Sequence, residues 1–327
     1  MKKVLPLLLA GLMLAMLGCG KAPVKNAVED AAVDVVTAGD SANTNTADVT
    51  HSSLYSADGT TEESNGESYA SDTANVNTIL VERMGILTMT SADINKTGDS
   101  SGDYTGGQNA AVAVISKGQL TLNQSNITTN GIGAVGMIVS GEGTQLAVNG
   151  TSVYTSGETS PVLIVRDDAS AVITSGTLST EGADSPSILL LGGRLTLSGV
   201  TITSKSGDTL RVLAGDNFLT LDQTTISAMP ALAEEATLEL HLQNGASFSG
   251  DLGGMLPARA SVFLDASSKL ILTAETYLTA LVNADLKHAN IESNGFNLYY
   301  DSNAPDNAYL NGQSFMLPGG GFLAPII

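Results

Sequence analysis

Apolar residues recur along the chain in a fixed three-point pattern. Each unit places apolar side chains at a first position, two residues later and seven residues later, and successive first positions lie 26, 25, 24 and 24 residues apart. A spacing of two residues places side chains on one face of a β-strand, so the pattern predicts strands and few helices. The units are Leu120/Leu122/Ile127, Leu146/Val148/Val153, Ala171/Ile173/Leu178, Leu195/Leu197/Ile202 and Leu219/Leu221/Ile226.

A further apolar strand closes each unit, as in "AVGMIV", "PVLIV", "PSILLL" and "LRVLA". Three short strands in each unit cannot form a sandwich without hairpin partners, whereas stacked units pair each strand with its equivalent in the next unit. The sequence therefore predicts an all-β, right-handed parallel β-helix (a solenoid) of roughly 25-residue rungs over residues 53–327, with a C-terminal cap. After residue 238 the repeat drifts, and the register of the strands stays open.

Two details of the repeat carry further expectations. Gly131, Gly157 and Gly182 share one offset, which predicts a corner with positive φ. An earlier unit, Leu87/Met89/Ile94, precedes Leu120 by 33 residues, and the excess is the polar insert "KTGDSSGDYTGGQN".

The N-terminal segment 1–18 has the layout of an export signal, with two lysines, an apolar run and then small residues. Cys19 follows it and is the only cysteine, so no intramolecular disulfide can form. The "MLGC" sequence resembles the bacterial lipobox, and the resemblance implies that lipid on Cys19 attaches the chain to a membrane. The alternative is an ordinary signal peptide with an incidental cysteine. Residues 19–52 are rich in Ala, Ser, Thr and Asp, which predicts a flexible acidic tether.

Charge and composition narrow the classes of partner. The formal net charge is −19 and the pI is about 4.2, which opposes binding to nucleic acid. The chain has no Trp, and aromatic residues make up 4 % of it. Few stacking platforms for sugar rings or bases are therefore expected.

The body resembles the right-handed β-helix surface proteins of bacteria, the adhesin-like and autotransporter-passenger-like group. The resemblance lies in the rung "GGRLTLSGVTITS", the insert "KTGDSSGDYTGGQNAAV" and the closing "FNLYYDSNAPDNAYLNGQSFMLPGGG". It implies a β-helix fold and a position at the cell surface, but that group shares no catalytic motif. We therefore expect a non-enzymatic, envelope-anchored interaction module with an unknown protein or glycan ligand. A carbohydrate-binding or polysaccharide-cleaving β-helix and a purely structural envelope component are the alternatives.

Candidate chemistry is sparse, and no catalytic residue or cofactor is predicted. Asp184 and Asp208 share an offset in adjacent rungs, so they are weak candidates for a calcium site, with Arg166 and Arg211 as the nearby basic residues. The three histidines, His51, His241 and His288, are scattered along the sequence. Tyr299, Tyr300 and Tyr309 suggest either an aromatic cap or a small sugar-stacking patch.

The closing strand is apolar on both faces. Its predicted inward positions are Met137, Leu163, Ile188 and Val212, and the intervening positions form an outward stripe, Ile138, Ile164, Leu189 and Leu213. A strand apolar on both faces is usually covered on both. The sequence favours cover by the chain's own residues 52–77 or its C-terminal segment, and cover by another molecule would make the stripe an interaction site.

Overall fold

The computed structural model describes residues 50–100, 102–228, 232–254 and 256–326. The predicted signal segment, Cys19 and the tether up to residue 49 lie outside these ranges. The first twelve strands are β1 (Ser53–Asp58), β2 (Thr61–Asn65), β3 (Ser68–Ser71), β4 (Asn77–Glu82), β5 (Ile86–Thr90), β6 (Asp93–Lys96), β7 (Ala110–Ile115), β8 (Gln119–Asn123), β9 (Asn126–Thr129), β10 (Val135–Ser140), β11 (Gln145–Thr155) and β12 (Leu163–Thr180). The remaining strands are β13 (Ile188–Ser198), β14 (Thr201–Ser204), β15 (Leu210–Asp222), β16 (Thr225–Ser227), β17 (Ala236–Gln243), β18 (Ser247–Gly250), β19 (Ala260–Leu264), β20 (Lys269–Leu272), β21 (Thr276–Asn283), β22 (Ile291–Glu292), β23 (Leu298–Tyr300), β24 (Phe315–Met316) and β25 (Phe322–Pro325).

Each strand pairs in parallel with its equivalent in the next rung. One line of pairing runs β1–β4–β7–β10–β12–β13–β15, and a second runs β2–β5–β8–β11–β12. The body is thus a parallel β-solenoid of about 11 rungs, each of about 25 residues, which confirms the predicted fold class. Its right-handed sense stays a prediction.

Helix is a minor component, about 3 %. Two short 3₁₀ helices occur in the described residues, at Tyr104–Gly106 and Pro305–Leu310. No helix in the described ranges is long and apolar enough to span a membrane.

The core consists of inward columns, in which equivalent apolar residues of successive rungs lie directly above one another. One such column confirms the predicted ladder, and its leucines are at most 2 % exposed. Burial of a leucine side chain contributes about 1.5–3 kcal/mol, so the column is a major stabilising element. Its members are Leu87, Leu120, Leu146, Ala171, Leu195, Leu219, Leu240, Val262 and Leu281.

The corner glycines have a different role from the predicted one. Gly131, Gly157 and Gly182 do not have positive φ. A Cβ at Gly157 would lie 1.9 Å from the Gly131 carbonyl oxygen, and one at Gly182 would lie 1.8 Å from that of Gly157. Glycine is needed here because successive rungs approach closely, backbone to backbone.

Another corner does use the left-handed region. Between β4 and β5 both Arg83 and Met84 have positive φ, and Ser116 and Lys117 repeat this one rung later. Two consecutive left-handed residues make a tight turn between strands.

Candidate ligand-binding face

The outward side of β13, β15, β17, β19 and β21 carries most of the molecule's exposed ring chemistry. Two neighbouring outward columns meet there. We call the group Arg194, Phe218, Glu239, His241 and Phe263 the ring face. The first column runs Arg194, Phe218, Glu239, Ser261, Ala280, and the second runs Thr196, Thr220, His241, Phe263, Val282.

Direct stacking fixes these side chains against one another. The Arg194 guanidinium carbon lies 3.8 Å from the centroid of the Phe218 ring, a cation–π contact. The rings of His241 and Phe263 are stacked with centroids 4.5 Å apart and planes 6° apart. Parallel pairing in register places side chains of successive rungs about 4.8 Å apart, so flat side chains stack without bending the backbone.

Glu239 and His241 join the two columns. They lie two residues apart on β17, and both point outward because side chains alternate along a strand. Nε2 of His241 donates to Oε1 of Glu239 across 2.7 Å, since a carboxylate can only accept. The ring face is therefore one connected group of side chains.

The first of two shallow grooves opens beside Phe218 and has a volume of about 300 Å³. The Nε atom of Arg259 is buried here without a hydrogen-bond partner. In contrast, the acidic side chains of the groove have donors: Asp216 accepts from the Thr237 hydroxyl at 2.6 Å, and Glu239 accepts from His241. The lining residues are Asp216, Asn217, Phe218, Thr237, Leu238, Glu239, Ala258, Arg259, Ser261 and Thr279.

The second groove lies on the other side of Glu239 and His241, and its volume is about 310 Å³. It combines apolar surface with amide and carboxylate groups. The lining residues are His241, Leu242, Gln243, Phe263, Leu264, Asp265, Val282, Asn283 and Ala284.

The grooves form because bulky outward side chains give way to short ones. After Phe218 and Glu239 the first column continues as Ser261 and Ala280. The two grooves follow β17 from Thr237 to Gln243, a span of about 20 Å at roughly 3.3 Å per residue. The face therefore offers an elongated concave surface that combines ring edges, hydrogen-bonding groups and one unpaired cation, as binding sites do.

The N-terminal half of the same columns is plain by comparison. Its outward residues include Thr121, Ala147 and Val172, and the groove there has a volume of about 120 Å³. This half supplies positions for matched control substitutions.

The predicted pairing of Asp184 with Asp208 is wrong. Ile188 pairs with Leu210, which places Asp208 opposite Pro186. The Asp208 carboxylate is bound by Arg211, with Nε and Oδ2 2.5 Å apart. Burial raises the pKa of Asp208, Arg211 opposes this rise, and Asp184 adds to it. Among the described residues no three His, Cys, Asp or Glu side chains are grouped to hold a metal, so we place no calcium at this pair.

The shift of register has a simple physical origin. The corner that precedes β15 comprises residues 205–209, two fewer than the corner 181–187 of the previous rung. A bulge within β15 restores the spacing and leaves Leu213 unpaired and 42 % exposed. The predicted stripe is therefore wrong at Leu213, and Arg211 takes the place beside Leu189.

The other stripe residues form a second apolar core. Ile138, Ile164 and Leu189 are at most 1 % exposed and pack with Leu80, Ala110, Ala113 and Val135. The polar insert, residues 97–109, supplies Tyr104 against this cluster. A Cβ added at Gly107 would lie 3.1 Å from the Ile138 side chain, so the insert backbone also packs closely on it. The cover belongs to the chain, but it is the insert rather than residues 52–77 or the C-terminal segment.

Several hydrogen bonds hold this cover insert in place. Nη1 of Arg166 donates to the Thr105 carbonyl at 2.6 Å, and Nδ1 of His51 donates to the Gly107 carbonyl at 3.2 Å. The fully buried Lys96 donates to the carbonyls of Thr73 and Gly98. Arg166 thus acts in packing, away from the ring face.

The tyrosines of the C-terminal segment do not form one patch. Tyr300 is fully buried, and its hydroxyl donates to the Gln313 carbonyl. Tyr299 stacks on Tyr277 with centroids 4.7 Å apart, while Tyr309 lies near the buried His288.

The ring face is the site that sequence reasoning missed. Phe218 and Phe263 lie in different rungs, and the second falls beyond residue 238, where the repeat drifts. Without the register His241 looked isolated. The available signal was the exception itself, bulky rings at outward positions that hold Thr, Ala or Val in earlier rungs.

Comparison of the chain with family models, curated proteins and solved structures finds no match.

Proposed function

We propose that the protein is a non-enzymatic, adhesin-like binding module of a bacterial cell envelope. Lipid on Cys19 attaches it to a membrane, and the tether carries the solenoid away from that membrane. The ring face is its binding surface. The order of the N-terminal segments and the resemblance of "MLGC" to a lipobox support the attachment.

One observation carries the proposal of binding. In a chain with 6 Phe and no Trp, two phenylalanines and a histidine stand outward on one sheet face beside two grooves of about 300 Å³. A solenoid that served only as a spacer would gain nothing from rings at outward positions, where Thr, Ala and Val suffice. Rigid rings in contact with polar groups are typical of recognition surfaces.

A retention assay tests the binding proposal. Purified protein is passed over immobilised extracellular matrix and over a glycan array, in parallel with Phe218→Ala/Phe263→Ala and with the control Thr121→Ala/Val172→Ala. We expect the wild type and the control to be retained and the ring-face variant to be lost by about tenfold or more. Equal retention of all three, or retention of none, would overturn the proposal.

The attachment has its own test. Cys19→Ser should move the protein from the membrane fraction to the soluble fraction, and a metabolic lipid analogue should label the wild type alone. Protease added to intact cells should remove the solenoid if it faces outward. A wild type that takes up no label would show that the cysteine is incidental.

A further inference from the structure

We infer that the groove beside Phe218 binds the carboxylate of an acidic linear oligosaccharide, with Arg259 as the group that recognises the charge. The inference rests on the proposed function and names the chemical class of its ligand. It follows from the donors and acceptors left free in the two grooves.

The charge comes first. Among the described residues, no side chain or carbonyl is hydrogen-bonded to the Arg259 guanidinium, and its Nε is buried. A buried donor without a partner is costly, most of all in a charged group. The acidic groups nearby, Asp216 and Glu239, already accept from Thr237 and His241. The unmet demand of this groove is thus for an acceptor, and an anionic one satisfies an arginine best.

A second cation points the same way. The Arg194 guanidinium lies over the opposite side of the Phe218 ring from the groove, since Arg194 belongs to the preceding rung and Glu239 to the following one. Two arginines therefore flank Phe218 in a molecule whose net charge is −19. Such a local reversal of charge attracts an acidic group to this part of the face.

The form of the face favours a saccharide over a peptide. The strands beneath the grooves spend their backbone groups on parallel ladders with neighbouring rungs. A peptide lying across them would find no backbone partners, because peptides add to sheets at edges. A sugar needs apolar surface for its C–H groups and side-chain partners for its hydroxyls. Phe263 and Val282 supply the first, and Gln243, Asp265 and Asn283 line the same groove.

The test compares two ligands that differ only in charge. Calorimetric titration uses a linear hexauronate and the same hexasaccharide with its carboxyl groups reduced to alcohols. We expect the wild type to bind the acidic form about 10- to 100-fold more tightly, in line with one or two charge-assisted hydrogen bonds. Arg259→Gln should abolish that preference, and Lys117→Gln, which removes a positive charge from a distant exposed corner, should keep it. Thermal unfolding of both variants confirms that they are folded.

Each outcome decides the inference. Equal binding of the two saccharides, an Arg259→Gln variant that keeps the preference, or tighter binding of a poly-glutamate peptide would overturn it. So would a wild type that binds neither saccharide. The proposed function is judged separately, because the loss of retention in Phe218→Ala/Phe263→Ala does not depend on the ligand being acidic or a sugar.

Discussion

Leu195 and Thr196 are adjacent residues of β13 that face opposite sides of the same strand. Leu195 is 1 % exposed in the inward column, whereas Thr196 is half-buried on the outward face. An aspartate at the first position would lie among leucines without a partner, and one at the second would remain in contact with water. The pair therefore reports the orientation of the strand directly.

We expect Leu195→Asp to lower the free energy of unfolding by about 3 kcal/mol or more, from lost burial and an unpaired charge. Thr196→Asp should change it by less than about 1 kcal/mol. Denaturant titration of the two variants measures the difference. Similar losses in both would contradict the assigned faces of β13.

His288 makes the C-terminal segment sensitive to acid. Its side chain is 1 % exposed, its ring packs at 4.9 Å from that of Phe315, and Nδ2 of Asn283 lies 3.3 Å from its Nδ1. Burial lowers the pKa of His288 below 6.5, and Asp285 opposes this only in part. The unfolded chain therefore takes up the proton first as the pH falls below 6.5, and stability falls with it.

We expect the wild type to lose more stability between pH 7 and pH 5 than His288→Gln does. Each unit by which the folded-state pKa lies lower contributes about 1.4 kcal/mol to that loss. Burial also lowers the pKa of His51, but that residue is the same in both proteins and its effect cancels in the comparison. Parallel slopes of stability against pH would show that His288 is not the responsible group.

At the scale of elements, the cover insert is the clearest departure from a uniform repeat. It replaces the five-residue corner found at residues 130–134 with thirteen residues, 97–109, and shields Ile138 from water. Since the strands on either side keep their pairing with neighbouring rungs, the insert covers the fold without defining its path.

Replacing residues 97–109 with the sequence "NGIGA" of the next corner should leave a folded solenoid that exposes its second apolar core. We expect increased binding of a hydrophobic dye and concentration-dependent association in sedimentation, with strand content by circular dichroism unchanged. Tyr104→Phe serves as the control and should behave as the wild type. A replacement variant that binds no more dye than the wild type would contradict the covering role. In contrast, Ile164→Lys/Leu189→Lys should unfold the protein, because both side chains are fully buried.

The sequence predicted those elements whose spacing was constant. Period-two alternation and rungs of 24 to 26 residues placed the inward leucine column correctly, because burial fixes both face and register. The later rungs are shorter: Leu219 pairs with Leu240, Leu240 with Val262, and Val262 with Leu281. These steps of 21, 22 and 19 residues conceal the repeat, and with it the columns that assemble the ring face. The bulge at Leu213 has the same origin, since corner length is not encoded in the apolar pattern.

At the scale of the whole molecule, the solenoid is a one-dimensional stack. Each rung contacts chiefly the rung before and the rung after, so stability is close to a sum over neighbours. The ring face occupies β13 to β19, beyond the first five rungs. At about 4.8 Å per rung, its grooves stand roughly 30 Å or more from β1 along the stack.

Parallel stacking also decides how the molecule would respond to mechanical tension. With the N-terminal side held by a membrane and a ligand gripped at the ring face, force would peel β1, β2 and β3 away from β4, β5 and β6 before any later rung is disturbed. Each rung released would lengthen the chain by about 80 Å, given roughly 25 residues at about 3.3–3.6 Å each. Single-molecule pulling between the N-terminus and a handle at Thr220 should therefore give a series of small, nearly equal extensions, whereas one large extension would indicate that the rungs fail together. A stack of this kind yields stepwise and can re-form from the rungs that remain, so an attached cell could be strained repeatedly without losing its hold.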